Sequence, residues 1–126
     1  MSSHTQTETL DAWFAYLSSS CKDDAFYWAW EAVDSAVRDT PPLGWSLVLQ
    51  LIGRAPSNEA LAHVAAGPLE DFIVQHVGAY IGQIEDQARD DPKFRLALTG
   101  VWCEGDIPIE LFEKLSLLTS SVSDPL

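Results

Sequence analysis

Ala65-Ala66-Gly67-Pro68-Leu69-Glu70-Asp71-Phe72-Ile73-Val74-Gln75-His76 is the stretch on which the reading of this 126-residue chain turns. Gly67 suits the position just past a helix end, where the chain often turns left-handed and a side chain would clash. Pro68 suits a first helical position, because its missing N–H has no helical partner there in any case. The stretch therefore predicts that one helix stops at Gly67 and another starts at Pro68. Glu70 and Asp71 fall in the new first turn, where free N–H groups and the positive end of the helix dipole favour negative charge. At about 100° per residue, Leu69, Phe72, Ile73, His76, Val77, Tyr80, Ile81, Ile84 and Ala88 share one broad face. That phase holds across Gly78 as far as Asp91-Pro92. It predicts either one long helix or two helices bent at Val77-Gly78.

Upstream of this stretch the same periodicity recurs. Thr5-Gln6-Thr7-Glu8 matches a capping box, and Leu10, Trp13, Phe14 and Leu17 follow at helical spacing up to Ser18-Ser19-Ser20. A second helix spans about Asp24 to Arg38, with Phe26, Ala29, Trp30, Val33, Ala36 and Val37 as its apolar face. Tyr27 falls outside that face, beside Glu31, Asp34 and Arg38, and an aromatic ring among solvated charges points to a partner surface. Thr40-Pro41-Pro42 opens a third helix in which Leu43, Trp45, Leu47, Val48, Leu49, Leu51 and Ile52 leave only a narrow polar strip. So apolar a helix belongs at the centre of its bundle. Ser57 is a good cap for Asn58 to Ala66.

Downstream, Pro92 opens a short helix carrying Phe94, Ala97, Leu98, Val101 and Trp102. Cys103 to Ile107 is an acidic loop. Pro108 starts a last helix with Ile109, Phe112, Leu115 and Leu118. Residues 120–126 read as a frayed tail and residues 1–5 as a polar one. No alternating strand pattern occurs. The chain reads as all-α: one domain over 1–126, six or seven helices in a bundle or a short solenoid-like stack of helix pairs.

Hydrophobic residues make up 47% of the chain, enough for a sizeable core. Nineteen acidic residues stand against 7 basic ones, a formal charge of −12. That balance argues against direct contact with nucleic acid, which needs Lys and Arg on phosphates. It permits steering towards a basic partner, or occupying a surface that normally holds nucleic acid, while acidic surface also serves solubility alone. The N-terminus carries no basic segment followed by an apolar run, and no apolar stretch is long enough to span a bilayer, so a cytoplasmic protein is expected. Cys21 and Cys103 are then expected to be reduced thiols.

Several stretches together carry a resemblance. They are Tyr27-Trp28-Ala29-Trp30-Glu31, Ala65 to Asp71, His76-Val77-Gly78, Ile84-Glu85 with Ala88, Asp91-Pro92 with Phe94-Arg95, and Leu98-Thr99-Gly100-Val101-Trp102. Over roughly Ala25 to Trp102 the chain resembles a family of short bacterial proteins classed as a domain of unknown function, whose most specific mark is Gly-Pro-Leu-Glu-Asp. The family has a His-Gly pair where this chain reads His76-Val77-Gly78. The resemblance implies one compact domain and brings no catalytic residues with it.

The residues offer three kinds of chemistry. His76, with Glu70 and Asp71 one to two turns before it, has the components of an oriented general base, although neither carboxylate has the three- or four-residue spacing that sets side chains side by side. Cys21, His63, His76, Cys103 and His4 include no paired short metal-binding spacing, so neither metal nor cofactor is expected. Gly78 and Gly82 fall on the polar side of their helix, which implies a bend or the close approach of another chain. The function expected is a non-catalytic acidic inhibitor, most concretely an immunity protein neutralising a bacterial toxin. Its docking residues would be Tyr27, Glu31 and Asp34, or the patch around Glu85, Asp86, Asp90 and Asp91. The alternatives are an acidic anti-defence phage protein that mimics nucleic acid, and an enzyme or ligand-binding protein centred on Glu70, Asp71 and His76.

Overall fold

The structure, a computed structural model, describes residues 4–126. Among them are seven α-helical segments and no strand, as the periodicity predicts. The first, α1 (Gln6–Ser18), opens with the expected capping box: Thr5 Oγ1 accepts the Glu8 N–H at 3.0 Å, and Glu8 Oε1 accepts the Thr5 N–H at 3.3 Å. A 3₁₀ turn (Asp24–Phe26) leads into α2 (Tyr27–Asp39), and α3 (Pro41–Arg54) follows with its prolines in the first turn. Ser57 caps α4 (Asn58–Val64) by accepting the Ala60 N–H at 3.1 Å. The chain continues as α5 (Glu70–Asp90), α6 (Pro92–Leu98) and α7 (Ile109–Thr119).

The expected break at Gly67-Pro68 is not there. Residues Ala65–Leu69 form a single π turn that joins α4 to α5, and the N–H of Glu70 reaches back to the carbonyl of Ala65. Val64 and Glu70 on either side keep ordinary helical backbone angles, and Gly67 does not turn left-handed. Proline supplies no N–H and its ring crowds the carbonyl four residues earlier. Widening the turn by one residue relieves that crowding without stopping the helix. Pro68 thus sits inside a helical run, and Glu70 and Asp71 do not occupy a free N-terminus.

The core forms around α3, which touches α1, α2, α4, α5 and α6. Leu47, Val48, Leu51 and Ile52 are buried there. Half-buried Trp45 packs among Phe72, Tyr80 and Phe94, with ring centroids 5.4, 5.9 and 5.8 Å away. Helices α2 and α3 approach each other closely at Gly44. A Cβ placed there would lie 2.8 Å from Val37 Cα and 2.9 Å from the Ala36 carbonyl oxygen. Of the two readings of the long phase, the single helix holds: α5 runs unbroken through Gly78 and Gly82, whose outer faces look onto open space.

Four expectations need correction. Trp30, assigned by its phase to the apolar face, is 41% exposed, and Trp102 is 81% exposed because α6 stops at Leu98. Ile109 is also exposed, at the first position of α7. The C-terminal run is not frayed: the Leu126 N–H donates to Thr99 Oγ1 at 2.8 Å, and its side chain packs on the core. At the other end, His4 stacks on Trp28 with centroids 3.6 Å apart, while residues 1–3 of the expected polar tail lie outside the described residues.

Candidate functional site

The outward face of α2 carries a run of aromatic rings among acids. Tyr27 is 41% exposed, as expected, and its ring stacks on that of Trp30 with centroids 5.8 Å apart and planes at 16°. Tyr16 of α1 meets the Tyr27 ring edge-on at 5.7 Å. Glu31 is exposed beside the pair, and Asp34 is half-buried one turn below Trp30. Asp34 already holds a cation: Arg38, one turn on, donates from Nε and Nη2 to its Oδ2 at 3.2 and 3.1 Å.

Across from this face lies the π turn. Trp30, Asp34, Pro68 and Asp71 surround a slot of about 60 Å³ whose floor is Trp13 and Val37. The turn places Asp71 here rather than at a helix cap. Partial desolvation, then the charges of Asp34 and Glu70, raise its carboxyl above the ordinary aspartate value. Unlike Asp34, Asp71 meets no Lys, Arg or hydrogen-bond donor among the described residues.

The second expected patch divides. Exposed Asp86 and Asp90 and half-buried Glu85 lie on α5, with Asp86 paired to Arg89 at 3.0 Å. Asp91, half-buried, caps α6. Its Oδ1 accepts the N–H groups of Lys93 and Phe94 at 3.0 and 3.2 Å, and its Oδ2 accepts Gln87 Nε2 at 3.1 Å. Between Asp71 and Asp86 the outer face of α5 presents Gln75, Gly78 and Gly82, so the two acidic regions share one helix face about 22 Å long.

Glu70, Asp71 and His76 point to three different neighbours. Glu70 Oε1 accepts the N–H of Trp102 at 2.7 Å, pinning the loop after α6. His76 Nε2 stands 2.6 Å from the Val37 carbonyl oxygen; a carbonyl only accepts, so Nε2 carries the proton and ties α5 to α2. Asp71 turns to the slot.

Elsewhere, Cys21 and His63 line a cleft of about 520 Å³ with Glu59 and Leu17, between the end of α1 and the start of α4. Ser20 and Cys21 at its edge both take left-handed backbone, with φ of 58° and 59°. Neither cysteine is in a disulfide: Cys21 is exposed and Cys103 is buried. Burial, followed by the charges of Glu70 and Asp106, pushes the Cys103 thiol above its usual range. No group of three or more His, Cys, Asp or Glu side chains among the described residues is arranged to hold a metal ion. No helix among them is long and apolar enough to cross a membrane.

Over residues 17–119 the sequence matches a family described as "Family of unknown function (DUF6869)". The chain belongs to that family. The matched region is longer than the Ala25–Trp102 stretch that carried the resemblance, and takes in all of α7. No curated protein and no solved structure matches the chain. Within the family region, the fold brings the quoted stretches together. Trp30 faces Gly67, Pro68 and Asp71 across the slot, Glu70 holds Trp102, and Ala65 lies so close to Gly100 that a Cβ there would be 2.9 Å from its own.

Slot and stacked pair were only half legible in sequence. Tyr27, Glu31 and Asp34 stand out as an aromatic among charges. Trp30 and Asp71 do not, since one follows the apolar phase and the other fits a helix start. The usable signal was the size mismatch within α2: a tryptophan among Ala29, Val33, Ala36 and Val37 has no room where helices approach closely.

Proposed function

We propose that the protein is a small acidic binding protein that masks a basic protein partner in the cytoplasm, in its most concrete form an immunity protein neutralising a bacterial toxin. The observation that carries this reading is the stacked, exposed Tyr27–Trp30 pair ringed by Glu31, Asp34 and Asp71. Aromatic rings at the centre with charge around them match the composition of protein interfaces, and aromatic faces also attract cations. The net charge of −12 adds long-range steering towards a basic surface. Five of the seven Lys and Arg side chains are already held within the fold. Arg38, Arg54 and Arg89 pair with acids, while Lys93 and Arg95 cap the carbonyl ends of α3 and α5. Little positive charge is left to oppose such an approach.

The test is capture and neutralisation of a basic toxin, sought first among the products of genes neighbouring this one. Wild type binds it, the binding weakens as salt rises, and cells expressing both proteins survive. Glu31→Lys with Asp34→Lys, one exposed and one half-buried on the outward side of α2, keeps the helical circular dichroism spectrum and loses both binding and protection. Equal binding by that double variant, at low and high salt alike, would sink the reading. An anti-defence protein that occupies a nucleic-acid channel is a second reading, favoured by acidic groups at both ends of one α5 face, Asp71 and Asp86, about 22 Å apart at about 1.5 Å per residue. Phage genes as neighbours, and binding abolished by Asp86→Lys with Asp90→Lys instead, would select it.

A further inference from the structure

We propose that the slot between Trp30 and the Gly67–Pro68 turn is the receptor for one arginine side chain of the partner, with the guanidinium on the Trp30 face and its N–H groups directed to Asp71 and Asp34. This rests on the reading of the protein as a binder of a basic partner and names the side chain that would anchor it.

Size comes first. At about 60 Å³ the slot falls far below the roughly 300–1,000 Å³ of sites that enclose a small ligand, so it takes the tip of a side chain. Charge follows. Asp71 is exposed where it lines the slot, has no cation of its own among the described residues, and stands near two further acids, Asp34 and Glu70. A cation arriving there relieves the repulsion that the fold leaves in place. Arg38 does not line the slot, and its guanidinium engages only Oδ2 of Asp34, leaving Oδ1 without a partner among the described residues. Shape decides between arginine and lysine. The walls are a flat indole and a proline ring, and the acceptors are two carboxylates on adjoining helices. A planar group that stacks on a ring and donates several N–H bonds in one plane fits this, whereas a compact, strongly hydrated ammonium does not. The Tyr27 ring, stacked on Trp30 and met edge-on by Tyr16, holds the indole in place before binding.

The experiment uses the full chain at low salt with two synthetic probes, a short arginine-containing peptide and the same peptide with lysine in its place. Binding is followed through the tryptophan indole N–H signals by nuclear magnetic resonance, the Trp30 signal being the one that Trp30→Ala removes. The expected result is tighter binding of the arginine peptide, with the Trp30 signal shifting most. Trp30→Ala weakens it about two- to thirtyfold, the span of cation–π contributions from exposed to desolvated sites. Asp71→Asn, which keeps the side chain's size and so guards against a folding defect in the tryptophan variant, also weakens it. Equal binding of the two peptides, with neither variant altering it, would overturn the arginine slot while leaving a diffuse acidic docking surface intact. If wild type takes up neither peptide, the slot and the basic-partner reading fall together. Free arginine binding as tightly as the peptide would overturn the assignment to a protein anchor.

Discussion

The α2–α3 contact makes a sharp prediction, because one substitution at three glycines should have opposite signs. Glycine in a helix interior costs about 1 kcal/mol relative to alanine, so glycine to alanine is stabilising wherever the new methyl has room. At Gly78 and Gly82 it meets nothing within 4 Å. At Gly44 it would lie 2.8 Å from Val37 Cα and 2.9 Å from the Ala36 oxygen, against ordinary carbon contacts of about 3.5–4.0 Å. Both obstacles are backbone atoms, so no rotamer change relieves the overlap and α2 must move off α3 by several tenths of an ångström. Overpacking of this kind costs about 1–3 kcal/mol, and the absence of a side chain that can yield puts Gly44 at the upper end. After subtracting the helical gain of about 1 kcal/mol, Gly44→Ala should lose about 1–2 kcal/mol, while Gly78→Ala and Gly82→Ala should each gain up to about 1 kcal/mol. Urea unfolding reads this directly, as a lower midpoint for the first and higher midpoints for the others at unchanged slope. A neutral or stabilised Gly44→Ala would refute the close approach. A destabilised Gly78→Ala or Gly82→Ala would show that the outer face of α5 is covered in the folded protein.

Trp45→Ala should cost about 3 kcal/mol in the same assay, the low end for a tryptophan because part of its ring stays in water, and Val48→Ala should cost less; a loss under about 1 kcal/mol for the tryptophan would make α3 peripheral. For Asp71 the folded carboxyl is raised above the ordinary value of 3.8. Its contribution to stability is therefore present below that unfolded value and is withdrawn as pH rises through the folded one. Asp71→Asn should accordingly match wild type in acid and be the more stable of the two near neutrality. Loss of stability near neutrality would mean that the carboxylate has a counter-charge in the fold.

How far the fold could be read from sequence depends on what each signal measures. Periodicity reports which residues share a face, and the faces of α1 and α5 came out as expected, as did that of α3 apart from Leu43, which is exposed in its first turn. Capping reports local hydrogen bonds, and Thr5, Ser57 and Asp91-Pro92 mark real helix boundaries. The Gly67-Pro68 pair misled because stop and start signals describe an isolated chain. Gly67 needed no left-handed turn, and a π turn gave Pro68 room inside the helix. Trp102 misled for a related reason. Its spacing matched α6, but Glu70 captures its N–H in a loop, and no periodicity can foresee a carboxylate from 32 residues away.

The candidate site shows why function was less legible than fold. Trp30 has the phase of a core residue, one position on from Ala29 and three before Val33. Whether that phase places it inside depends on what stands opposite, and Trp30 lies across from Trp13 and the Gly67–Pro68 turn. With no side chain at Gly44, α3 comes down on the backbone of α2 at Ala36 and Val37, and this close approach sets where Val37 lies beneath the slot. Trp30 stands at the rim, where the π turn supplies Pro68 as a second wall and Asp71 as a charge. The slot is therefore a consequence of two backbone features, a close helix crossing and a widened turn, that no single residue announces. This links the stability and binding predictions. Forcing α2 away from α3 with Gly44→Ala should also disturb the slot and weaken the arginine peptide, because the new methyl presses on Val37, which forms part of its floor.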